Sequence, residues 1–65
     1  MDTHNGPVTI TQSVNVPFGN GKVPWLIVFH WGGVTGSVTD QGGGLFTYSL
    51  VIPSGATANI YWGER

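Results

Sequence analysis

"WLIVFHWGG", Trp25–Gly33, places two tryptophans, a phenylalanine and a histidine in a run that is otherwise aliphatic. Trp25, Ile27, Phe29 and Trp31 alternate with Leu26, Val28 and His30. This is the two-residue period of a strand, and both of its faces are largely apolar. A strand of that kind is normally covered on both sides. The run is therefore expected to be central and to form the core of the fold, covered by its own sheet partners or by another subunit. Trp25, Ile27, Phe29 and His30 are then core or interface residues.

The flanking segments keep the same period. In "VTITQSVNVPF" (8–18), Val8, Ile10, Val14, Val16 and Phe18 lie opposite Thr9, Thr11, Ser13 and Asn15. Gln12 interrupts the apolar face and Pro17 cannot donate to a ladder, so an edge strand or a bulge is expected there. Asn20-Gly21 accepts positive φ and signals a hairpin into the central strand. "VTGSVTD" (34–40) resumes the alternation, weakened at Gly36, and "DQGGG" (40–44) reads as a loop. "LFTYSLVI" (45–52) sets Phe46, Tyr48, Leu50 and Ile52 on one side. After the turn "PSG", "ATANIYW" (56–62) alternates Ala56, Ala58, Ile60 and Trp62 with Thr57, Asn59 and Tyr61. No 3.6-residue pattern competes, and eleven glycines argue against helix. The sequence predicts an all-β fold: a small antiparallel β-sandwich or meander of about five strands, one domain over residues 1–65, with residues 1–7 a flexible arm.

Composition adds a constraint on how such a domain is used. Only 8% of the residues are Asp, Glu, Lys or Arg, against about 25% in ordinary soluble domains. The five charges are Asp2, Lys22, Asp40, Glu64 and Arg65. A chain of 65 residues without cysteine has no disulfide or thiolate metal site to support a small core. Completion by homo-oligomerisation is the expected remedy. Two basic residues and a net charge of -1 are too few to neutralise several phosphates, so no nucleic-acid partner is expected. No apolar run reaches the length of a membrane span, so no membrane insertion is expected. The start "MDTHNGPVT" lacks the basic and apolar regions of a signal peptide. Release by lysis, by a dedicated route, or after removal of a leader is the expectation for an extracellular role.

Chemistry-bearing groups are sparse. His30 lies between Phe29 and Trp31, and His4, Asp2 and Asp40 show no ligand spacing relative to it, so no metal or cofactor is expected. "GGVTGS" and "IPSG" lack the nucleophile-elbow pattern, and "GGVTGS" also lacks the lysine of a phosphate loop. No enzymatic activity is predicted. Sugars stack on aromatic rings while amides and carboxylates take their hydroxyls, which makes Tyr61, Trp62, Trp31, Asn59, Asp40 and Gln41 the glycan-binding candidates. Such a site is expected at the Trp31–Gly33 end, near the Asp40–Gly44 loop. The competing reading is that the tryptophans are core-building pieces, together with Phe46, Tyr48 and Leu50.

At "VNVPFGNGKVPWLIVFHW" (14–31) the chain resembles the distal domains of bacteriophage tail fibres and related H-type lectin-like folds. The shared features are an alternating strand closing on "VPF", a short turn, and a proline introducing an apolar strand. "IYWGER" (60–65) is similar to the closing strand of such domains. The resemblance implies a compact β-module that trimerises and either binds cell-surface glycans or caps a fibre, in a virion or outside the cell. No sugar-binding residue carries over from it. Sparse charge is similarly found in decoration proteins. The expected function is thus a homo-oligomeric structural or attachment module, with a stand-alone lectin or a β-rich filament subunit as alternatives.

Overall fold

A computed structural model describes residues 1–65. Six strands build two three-stranded antiparallel sheets: β1 (Asp2–Asn5), β2 (Val8–Asn15), β3 (Pro24–Trp31), β4 (Thr35–Gly42), β5 (Leu45–Ile52) and β6 (Thr57–Glu64). Sheet A has the order β1-β6-β3 and sheet B the order β2-β5-β4. The all-β antiparallel sandwich is as the alternation predicts. It is not a meander, because the chain changes sheet at every connection except the β4–β5 hairpin.

Three expectations are corrected here. Residues 2–5 are not a loose arm: they pair with β6, Asp2 opposite Ile60 and Asn5 opposite Thr57. The Asn20-Gly21 turn is closed by Lys22 N donating to Gly19 O at 3.1 Å, yet it joins strands of different sheets and makes no hairpin. Most consequential, β3 is an edge strand of sheet A, with β6 as its one neighbour.

The core lies between the sheets, where Tyr48, Leu50 and Ile52 of β5 meet Ala58 and Ile60 of β6, with Val34 and Ala56 closing one end. β3 contributes Leu26 and Val28 to this interior. Ile27, Phe29 and Trp31 point the other way and are 45%, 55% and 56% exposed. When both faces of a strand are apolar, alternation no longer selects which one turns inward. Register with β6 decides: Leu26 lies opposite Trp62 and Val28 opposite Ile60. The space beneath is already filled by Tyr48 and Leu50, where larger rings from β3 would overpack it.

β2 is an edge strand, and Gln12 faces inward across from Tyr48. The break in the apolar pattern has a use: Tyr48 Oη donates to Gln12 Oε1 at 2.7 Å. A buried tyrosine needs such a partner. Burial, and secondarily the carboxylate of Asp2, pushes the Tyr48 hydroxyl above its ordinary value. A raised tyrosine pKa leaves stability intact below the unfolded value of about 10 and removes it as pH rises through the folded one. Urea midpoints are accordingly expected to fall above about pH 10, with a shallower decline in Tyr48→Phe. That variant also loses about 1 kcal/mol at neutral pH with the hydrogen bond. An identical alkaline slope in the two proteins would contradict this placement.

The accessible surface is 3989 Å² for 6.9 kDa, close to the roughly 4,000 Å² that size scaling gives a folded monomer. The amount of surface is ordinary, and its character is not.

Candidate functional site

The unusual surface gathers around β3. Val23 N donates to Arg65 O at 2.7 Å and Arg65 N to Val23 O at 2.9 Å, and the register continues unbroken to Trp31 opposite Thr57. In an antiparallel ladder the hydrogen-bonded pairs alternate. The odd residues of β3 therefore bond to β6, while Leu26, Val28 and His30 turn their backbone N–H and C=O groups to the free edge. Pro24 has no N–H to offer there.

Natural edges are blunted by short length, charge, proline or bulges. β1 is four residues long and begins at Asp2. β4 carries a bulge between Asp40 and Gly42. β2 has a polar outer side, where Thr11 and Ser13 hydroxyls bond to Ser49 and Thr47 at 3.0 and 3.1 Å. β3 has eight residues, no bulge and no charged side chain, and only Pro24, its first residue, blunts it.

Beside this edge the sandwich is open. A groove of about 520 Å³ runs between β3 and β4, lined by Leu26, Val28, Val34, Val38 and Leu50 together with His30, Gly36 and Ser37. No ionised carboxylate, lysine or arginine lines it. His30, expected in the core or at an interface, is not in the core of the single chain and stands exposed at the rim of this groove. Gly36 narrows the wall of β4: it adopts φ +144°, and a side chain there would run into Ser49 O and the Cα of Leu50.

Around the edge lies the outer face of sheet A. Trp31 is level with Thr57 and Asn5, Phe29 with Asn59 and Thr3, and Ile27 with Tyr61. Phe29 meets Tyr61 edge to face, with centroids 5.6 Å apart and an interplanar angle of 83°. Trp25 continues the row, half-buried over Gly63, where an added Cβ would come 3.0 Å from its Cζ2. Exposed aromatic and aliphatic side chains on this face amount to on the order of 400 Å², the scale of a functional patch.

Of the glycan candidates, the fold brings Trp31, Asn59 and Tyr61 onto this one face. Trp62 is turned inward and packs against the core. Asp40 and Gln41 sit at the opposite end of the sandwich, near the β4–β5 hairpin, roughly 20 Å from Trp31 along the strand direction. The expected joining of the Trp31–Gly33 end with the Asp40–Gly44 loop does not occur. Asp40 Oδ1 instead accepts from Gly42 N at 2.8 Å and holds the bulge. Phe46, Tyr48 and Leu50 are buried as expected. Thr57, Thr3 and Asn5 join the face although the sequence does not single them out, and Phe29 joins it as well. The apolar pattern marks Phe29 as a core or interface residue, and β1 carries no alternation long enough to read.

The histidines do not form a site together. His4 and His30 flank Ala58 from β1 and β3, and no group of three or more His, Cys, Asp or Glu side chains is placed to hold a metal. His4 Nε2 is buried without a hydrogen-bond partner. Glu64 Oε2 accepts from Gly19 N at 2.7 Å, fastening the 16–23 connection to the end of β6. Comparison of the chain with protein-family models, with curated proteins and with solved structures found no match.

Proposed function

We propose that the protein is a non-enzymatic, self-associating structural module of the attachment or decoration kind, at home in a virion or an extracellular assembly, and that its copies join through β3. The observation that carries this reading is the unprotected edge: eight uncharged residues with three outward-facing backbone pairs, next to an apolar groove. Pairing through this edge satisfies the outward-facing backbone groups of Leu26, Val28 and His30 and covers the groove-side residues Leu26 and Val28, and it leaves the outer face of sheet A open.

The edge also favours one symmetry. Leu26, Val28 and His30 are centred on Val28, so an antiparallel pair of β3 strands about a two-fold axis sets Val28 against the partner's Val28. Leu26 then faces the partner's His30, each facing pair exchanging two hydrogen bonds. Sheet A becomes six-stranded, and the Leu26 and Val28 side chains of both copies close the grooves. This supports a pair, alone or as the unit of a larger assembly, in preference to the trimer that the tail-fibre resemblance implies.

Val28→Pro tests it. The Val28 N–H has no partner within the chain, and proline is tolerated on an edge whose N–H faces outward. Sedimentation equilibrium is expected to give twice the chain mass of 6.9 kDa for the wild type and the single-chain mass for Val28→Pro at unchanged far-UV circular dichroism. Ile27→Lys, at an already exposed position, is the second variant and places the charge that protects natural edges. A wild type that remains a single chain at high concentration, or variants that associate equally well, would overturn the proposal.

A further inference from the structure

The outer face of sheet A has a second property that self-association along the edge does not use. Its aromatic row lies beside a polar one. Thr3 Oγ1 donates to Asn59 Oδ1 at 2.8 Å, and Thr57 Oγ1 donates to Asn5 Oδ1 at 2.9 Å. Each threonine thereby fixes an asparagine amide by its carbonyl and leaves the Nδ2 hydrogens free to donate outward. Asn5 and Asn59 are diagonal neighbours on adjacent strands, about 7 Å apart. Two pre-oriented donors therefore share a face with Trp31 and Phe29, which are 56% and 55% exposed. Asn59 lies directly beside Phe29, and Asn5 lies beyond Thr57 from Trp31, about 10 Å away across two strand spacings.

We infer that this face binds a neutral oligosaccharide, with the flat C–H side of a sugar ring stacked on Trp31 and ring-edge oxygens accepting from the Asn59 and Asn5 amides. Three features select that chemistry. The rows of Ile27, Phe29 and Trp31, of Thr57, Asn59 and Tyr61, and of Thr3 and Asn5 hold no Asp, Glu, Lys or Arg, so nothing compensates a charged sugar. The pre-oriented polar groups are amide donors, which suits hydroxyl, ring and acetamido oxygens. The platform is open and about 13 Å long from Ile27 to Trp31, which favours an extended chain with equatorial substituents and flat faces over a compact branched sugar. The polar column belongs to β1 and β6, away from the β3 edge, so this inference stands independently of edge pairing.

The test is a fluorescence titration of the full chain with cellohexaose and with the hexamer of N-acetylglucosamine, with sialyllactose as the charged comparison. Binding of at least one neutral hexamer is expected, with a blue shift of the tryptophan emission. Affinity should fall at least tenfold in Trp31→Ala and severalfold in Asn59→Ala, and be unchanged in Thr11→Ala on the opposite sheet. Circular dichroism establishes that each variant is folded, and Trp31→Phe, which keeps an aromatic face, should retain part of the binding. Absence of binding by both hexamers, binding that survives Trp31→Ala, or preference for sialyllactose would overturn the inference. So would a loss of oligomer mass in Trp31→Ala without any sugar response, since the face would then be covered by another copy.

Discussion

Truncating Tyr48 to alanine is expected to lower the melting temperature by more than about 15 °C, because a loss of about 3–5 kcal/mol falls on a domain this small. Tyr48 is fully buried and sits at the centre of the cluster that joins the sheets. Removing its ring opens a cavity that Ile60 and Leu50 cannot fill, since both are anchored in strands, and leaves Gln12 Oε1 without its donor. Stabilities of about 0.1 kcal/mol per residue give a 65-residue chain roughly 6 kcal/mol in all. The variant should therefore be substantially unfolded under mild urea. Tyr48→Phe, by contrast, keeps the ring and stays folded. A Tyr48→Ala protein melting within a few degrees of the wild type would place the core elsewhere.

Gly36→Ala is the second large effect, and its origin is in the backbone. The residue adopts φ +144° at the second position of β4, a region that L side chains avoid. Its pro-methyl direction points at Ser49 O and Leu50 Cα of the neighbouring strand. Relief requires β4 to move off β5, which breaks ladder bonds and widens the groove. The expected loss is about 3 kcal/mol or more, read as a shift in urea midpoint. Gly42→Ala, where nothing lies within 4 Å of the added carbon, shares the positive φ without the collision. A Gly36→Ala variant no worse than Gly42→Ala would show that β4 is free to shift.

The period-two pattern carried most of the fold. Faces of β5 and β6 are legible because one side is wholly apolar or aromatic, Phe46, Tyr48, Leu50 and Ile52 in β5 and Ala58, Ile60 and Trp62 in β6, while the other mixes Thr, Ser and Asn with Leu45, Val51 and Tyr61. β3 was legible as a strand but not as to its place. Pattern reports which residues are apolar, and Trp25–Trp31 is apolar on both faces. Sheet order is set by pairing with distant segments, which a local pattern does not encode. β1 escaped notice because four residues, Asp2–Asn5, hold no apolar alternation, and their pairing depends on β6, more than fifty residues away. The Asn20-Gly21 turn misled for a related reason: a local reversal does not say whether the chain returns to the same sheet or crosses to the other. Of the candidate site, Trp31, Asn59 and Tyr61 were found by residue type. Asp40, Gln41 and Trp62 share that chemistry but not the face, and the difference lies in strand parity and in which end of the sandwich a hairpin occupies.

The exposed row of β3 gives a physical meaning to the low charge of the chain. A solvated monomer with an uncharged eight-residue edge is a template for strand addition, and here only Pro24, at the start of β3, stands against it. In the proposed pairing, Val28 set against its symmetry mate would use up that edge in a closed two-fold contact, whereas joining β3 to a different strand edge of the next copy would be heterologous and would propagate into filaments. Closed pairing and filament growth would thus be alternative outcomes of one exposed edge, separated by which edge of the next copy β3 meets.

Amide hydrogen exchange along β3 is the most direct measurement, since Leu26, Val28 and His30 donate to nothing within the chain while Trp25, Ile27, Phe29 and Trp31 donate to β6. In concentrated solution all seven amides are expected to be protected, and on dilution protection should vanish from the three even-numbered ones alone. Rapid exchange of Leu26, Val28 and His30 at every concentration would contradict assembly through this edge.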